Sequence, residues 1–133
     1  MIARTSRWRL LIAIATLAAS PARAQAPLAL HIHSERAMFQ VLISPGSVGT
    51  DSFVLQLMSG DGDRLPVKEA TLTLSLPEHG IAPLERVATL GADGYWHVAD
   101  VPLSRAGRWH LHIDALTIFQ KITLEDDFDV PAR

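Results

Sequence analysis

Four of the six histidines stand in two His-x-His pairs, His31/His33 and His110/His112. On a pleated strand, residues i and i+2 project from one face about 6–7 Å apart, close enough for two imidazoles to converge on one metal ion. The residues around both pairs are apolar: Leu30 and Ile32 in the first, Trp109, Leu111 and Ile113 in the second. A half-buried strand turns those inward and leaves the imidazoles outward as accessible ligands. If the two strands lie in the same sheet, four imidazoles could make one site.

Soft donors are few. The chain has no cysteine and three methionines, Met1, Met38 and Met58. Met38 follows His33 by five residues, where a bend in the chain would bring its thioether to the first pair; Met58 ends an apolar strand and reads as core. Imidazole with an optional thioether suits copper better than calcium or magnesium, and a His-led set leans toward Cu(II) or a site that tolerates both oxidation states. Zinc fits the imidazoles alone. The candidate metal ligands are therefore His31, His33, Met38, His110 and His112. His79, in a proline-bounded loop, and His97, next to Trp96, are third-ligand alternatives that read first as surface histidines.

Other chemistries find less support. Asp61 and Asp63 alternate with Gly60 and Gly62, but the twelve-residue spacing and closing Glu of a calcium loop are missing, so a solvated turn is expected. Ser44, Ser47 and Ser52 have no nucleophile-elbow context, and no carboxylate sits among apolar residues in a way that would raise its pKa. The sequence points to a binding protein, not an enzyme.

The elements that must carry these ligands begin after an export signal. Arg4, Arg7 and Arg9 precede the ten-residue apolar run Leu10–Ala19, and Ser20-Pro21-Ala22-Arg23-Ala24 ends in a small-x-small cleavage pattern. The apolar run is too short for the roughly 20 residues of a spanning helix. Residues 1–24 are expected to be removed, leaving 25–133 as one periplasmic domain that does not span the membrane. Cleavage takes four of the twelve basic side chains and none of the fourteen acidic ones, so the remainder is formally −6, eight charges against fourteen. Such a module is a poor partner for nucleic acid or anionic lipid. With no cysteine to form disulfides, its stability must come from an ordinary hydrophobic core.

From residue 28 onward apolar side chains recur with a period of two, the signature of half-buried strands. Strands are expected at 28–33, 38–44, 51–58, 68–76, 84–90, 95–101, 107–116 and 119–130, the last weakened by Asp126-Asp127. The residues 77–83 read as a loop, Gly91-Ala92-Asp93-Gly94 as a hairpin turn and 102–106 as a corner. Seven or eight short strands at this spacing predict an antiparallel immunoglobulin-like β-sandwich, with an open barrel as the competing architecture. Trp96 and Trp109 would anchor its core. Glu125, Asp126, Asp127 and Asp129 look like a charged strand edge that blocks unwanted pairing.

The segments Leu30-His31-Ile32-His33-Ser34-Glu35-Arg36-Ala37-Met38, Pro45-Gly46, Lys68-Glu69-Ala70-Thr71-Leu72, Gly94-Tyr95-Trp96 and Ala106-Gly107-Arg108-Trp109 together resemble the soluble YtkA-like domain. That domain is found at the C-terminus of copper-resistance and copper-transport membrane proteins of the CopC/CopD type. The resemblance spans about Leu28 to Val130 and implies an immunoglobulin-like sandwich of the bacterial periplasm that handles copper, with His31, His33 and Met38 as the copper-associated residues. His110 and His112 match no motif of that family. Without the membrane bundle of the fused proteins, transport does not carry over. A role in binding, buffering or delivering copper does, with a membrane copper transporter or another envelope protein as the expected partner.

Overall fold

Strict alternation of buried and exposed side chains makes β1 (Leu28–His33) and β2 (Ala37–Ser44) a hairpin with one dry face. Ala37, Phe39, Val41 and Ile43 are fully buried, while Met38, Gln40 and Leu42 point outward. Ser34 shapes the turn, its Oγ accepting the N–H groups of Arg36 and Ala37 at 3.3 and 3.2 Å. The computed structural model describes residues 27–132, so the expected export signal at 1–24 lies outside the described residues.

The chain continues through β3 (Gly49–Ser59) and β4 (Val67–Leu76), then a 3-10 turn at Pro77–His79. It then runs through β5 (Ile81–Val87), β6 (Thr89–Leu90), β7 (Trp96–Leu103), β8 (Gly107–Thr117) and β9 (Lys121–Val130). Two antiparallel sheets result, ordered β1-β2-β3-β7-β6 and β5-β4-β8-β9. Their separation settles the architecture as an immunoglobulin-like sandwich and not an open barrel. Between them lie Phe39, Phe53, Leu55, Leu72, Leu74, Trp109, Leu111 and Ile113, each 1% exposed or less. Trp96 and Trp109 are both buried, as expected, and the Trp109 Nε1–H donates to the Arg105 carbonyl at 3.0 Å.

Several boundaries differ from the sequence pattern for identifiable reasons. The stretch 84–90 is two strands: β5 pairs with β4 up to Val87, the Ala88 N–H still donates to Ala70 O at 2.9 Å, and Thr89–Leu90 then joins β7 in the other sheet. Ala88, 4% exposed, is small enough to sit in the core at the crossing. Ile81-Ala82-Pro83 belongs to β5 instead of the preceding loop. Pro102 lies within β7, opposite Thr50, so the corner is narrower than 102–106. Residues 118–120 form a turn, where Thr117 Oγ1 accepts the N–H groups of Phe119 and Gln120, both at 3.1 Å. Finally, β9 runs unbroken through Asp126-Asp127, because an edge strand can leave those charges in water.

Candidate functional site

The first histidine pair lies on an edge strand, and register decides what faces it. His31 and His33 are exposed on the outer face of β1. His33 stands directly opposite Met38 on β2, and Met38 stands opposite Met58 on β3. Residues directly opposite on neighbouring strands have Cβ atoms about 4.5–5.5 Å apart. An imidazole and two thioethers therefore form one row across three strands, with the His31 imidazole one pleat away. His31 heads the adjacent row, opposite Gln40 and then Gln56.

Met38 thus neighbours His33 by cross-strand register, and not through the bend in the chain expected from the sequence. Met58 does not belong to the core: its phase on β3 is that of Val54 and Gln56, half-buried on the outer face, while Phe53, Leu55 and Leu57 fill the interior. Its position within the alternation carried that signal, but the long apolar run of β3 masked it. The side chains of His31 and His33 make no hydrogen bond or ion pair with the described residues. Their nitrogens are available for a ligand.

The second pair lies on β8 in the other sheet. Both pairs face outward, and the outer faces of a sandwich look in opposite directions, so the four imidazoles do not build one site. His110 and His112 meet a different chemistry. His110 lies opposite Asp127 and His112 opposite Glu125. The His110 ring contacts Asp127 Oδ1 through Nδ1 and Glu125 Oε1 through Nε2, each at 2.7 Å. His112 Nε2 is 3.1 Å from Asp114 Oδ1, and its Nδ1 is 3.6 Å from Glu125. Arg108 adds contacts of 3.7 Å to Asp127 and 3.1 Å to Asp129.

Hydrogen bonds donated by the His110 ring to Asp127 and then Glu125 raise the His110 pKa, and the latter bond lowers that of Glu125. Burial pushes the Asp114 carboxyl upward, but its Thr123 hydroxyl bond and the nearby His112 and Lys121 bring it below the usual value. This is an imidazolium clamp between β8 and β9. The acidic residues of β9 do line an exposed edge, and two of them also grip His110.

His97 is held by Asp93 across the β6–β7 turn, its Nε2 at 2.9 Å from Oδ2, and His79 is exposed at the end of the 3-10 turn. Neither lies on β1, β2 or β3, the strands that carry the His33–Met38–Met58 row. Asp61 and Asp63 are exposed in the β3–β4 loop, as a solvated turn requires. Among the described residues no three His, Asp or Glu side chains are already grouped to hold a metal ion. A His-Met set is thus the arrangement to weigh. No helix among the described residues is long and apolar enough to cross a membrane.

No family model matches the chain, and no curated protein matches it. The YtkA-like resemblance therefore rests on the segments quoted for it. Two solved structures share the fold. FetP of uropathogenic E. coli strain F11, expressed recombinantly in the E. coli periplasm, superposes with a TM-score of 0.60 over 80% of this chain and 96% of its own, at 9% identity. A copper-bound variant of the same FetP gives a TM-score of 0.58 over 79% of this chain and 96% of its own, at 8% identity. At such identity the likeness is one of architecture: this chain has the sandwich fold found in FetP.

Proposed function

We propose that this protein is an exported, non-catalytic copper-binding protein that buffers copper or delivers it to an envelope partner. The His33–Met38–Met58 row, with His31 beside it, carries this reading. Two imidazoles and two thioethers are a borderline-to-soft donor set, which favours copper over hard cations. Met58 shifts the balance from a His-led site toward one that also holds Cu(I). The copper-bound FetP variant, of the same architecture, supports the choice of metal. The YtkA-like resemblance implies the same role for His31, His33 and Met38. The ring nitrogens of His110 and His112 are engaged by carboxylates, so this pair stands apart from the donor set.

Copper titration of the protein purified after export tests the assignment. About one copper per chain is expected, lost in the double variant His31→Ala/His33→Ala. A double variant that binds copper as wild type does would refute it.

A second reading is favoured by one observation. The large apolar side chains most exposed to water, Val87, Leu90, Tyr95, Leu116, Ile118 and Phe119, all lie toward the same end of the sandwich as His33, with Phe119 83% exposed at the tip of the β8–β9 turn. Apolar side chains gathered this way mark protein interaction sites. On this reading the end docks on an envelope protein with or without metal. Phe119→Ser should then leave thermal stability within about 0.5 kcal/mol and abolish capture of a defined envelope partner. Unaltered capture would remove the tip from the interface.

A further inference from the structure

Met58 has a second neighbour besides the candidate metal row. On the side away from Met38 it lines a hollow of about 240 Å³ together with Gln56, Arg64, Gly94 and Tyr95. Arg64 is pinned there by its backbone, which makes an isolated antiparallel bridge with Met58, while the Leu65 N–H donates to Leu57 O at 3.1 Å. The guanidinium lies against Gly94, where any side chain would collide with it, and the φ of +85° at Gly94 suits glycine. Arg64 is exposed, and its guanidinium occupies the space beside Gly94 that a side chain there would make it leave.

Nothing described in the protein uses its donors. Arg108 pairs with Asp127 and Asp129, and Arg86 donates to the Glu85 carbonyl, but the Arg64 guanidinium makes no hydrogen bond or ion pair with the described residues. Asp61, Asp63 and Asp93 stand in the adjoining turns without turning to it. A planar fork of unpartnered donors is matched by a carboxylate, which accepts two parallel N–H bonds.

From this placement we infer that the hollow is an anion subsite: Arg64 binds a small organic carboxylate, which offers an oxygen to the copper ion beside Met58. The subsite itself stands on Arg64, Gly94 and the hollow; the co-ligand role rests on the copper reading. In that role the anion supplies the hard donor that the imidazole and thioether row lacks. Cu(II), with its preference for nitrogen and oxygen in tetragonal geometry, gains most from it.

Succinate is the probe, titrated first into metal-free protein while the Arg64 Nε–H and the Gly94 and Tyr95 amides are followed by NMR. Saturable shifts at these groups are expected, with affinity about tenfold weaker in Arg64→Gln. Gly94→Ala keeps the charge but displaces the guanidinium, and it should weaken succinate to a similar extent. If that variant misfolds, Arg64→Gln still decides the matter. Absence of shifts, or equal binding by Arg64→Gln, overturns the subsite. The second arm adds succinate to copper-loaded protein, whose Cu(II) spectrum should change in wild type and not in Arg64→Gln; an unchanged spectrum overturns the co-ligand role. Copper uptake in carboxylate-free buffer is read separately, so failure of the copper reading is distinguished from failure of this one.

Discussion

Replacing His110 with glutamine should remove a pH-dependent part of the protein's stability, and the sign of that dependence follows from the clamp. His110 bridges Asp127 and Glu125 on the neighbouring strand at 2.7 Å each, and these contacts raise its pKa above the ordinary 6.5. A group whose folded pKa is raised stabilises fully below its unfolded pKa and loses that contribution as pH rises through the folded value. The side chains are 37%, 51% and 45% exposed for His110, Glu125 and Asp127, so solvent screens the pairs. Exposed ion pairs contribute about 0.2–1 kcal/mol, which puts the His110 contribution near the upper end of that range. For a domain of this size, about 1 kcal/mol moves the melting temperature by about 4–8 °C.

The assay is thermal unfolding, followed by circular dichroism with a chelator present, for wild type and His110→Gln. The gap between them should be largest below about pH 6.5 and narrow as pH rises above it through the raised folded-state pKa of His110. Other titrating groups are common to both proteins and largely cancel; His112, which shares Glu125, is the neighbour that can couple. At the acid end the sign reverses, because the bond to His110 lowers the pKa of Glu125 and that contribution fades as pH falls through it. A gap that stays the same from about pH 6 to 9 would refute the imidazolium clamp.

Two further perturbations test the core and the donor set. Trp109→Ala should cost about 3–5 kcal/mol, a large share of the roughly 5–15 kcal/mol available to a typical domain; a denaturant midpoint barely changed from wild type would contradict its place at the centre of the core. Met58→Leu preserves volume but removes a thioether, so Cu(I) affinity should drop while zinc affinity and thermal stability hold. Equal losses for both metals would mean that the side chain acts through packing.

Strand positions were legible in the sequence because a half-buried sheet imposes a period of two on it. In β4, Ala70, Leu72, Leu74 and Leu76 are buried while their neighbours are not. Boundaries were less legible wherever pairing partners decide them. Nothing local in Leu84–Leu90 says that Ala88 crosses between sheets, and Pro102 joins β7 only because Thr50 lies opposite. The candidate site suffered the same loss. Met58 stands 25 positions from His33 and meets it through two successive registers, a relation that no window of sequence contains.

The two His-x-His pairs show why spacing alone underdetermines chemistry. Each puts two imidazoles on the outer face of a strand, at the same separation and in equally apolar company. The opposing strand then divides them. Across from His110 and His112 stand Asp127 and Glu125; both carboxylates engage the ring nitrogens of His110 and favour a proton on that imidazole. Across from His33 stands Met38, which accepts no proton and gives the imidazole no ionic partner. A carboxylate opposite makes a histidine a clamp; a thioether opposite leaves it a ligand. The edge position of β1 adds the remaining requirement: among the described residues no strand hydrogen-bonds to its outer side, and His31 and His33 stand exposed on the outer face of the sheet, where an ion can approach them.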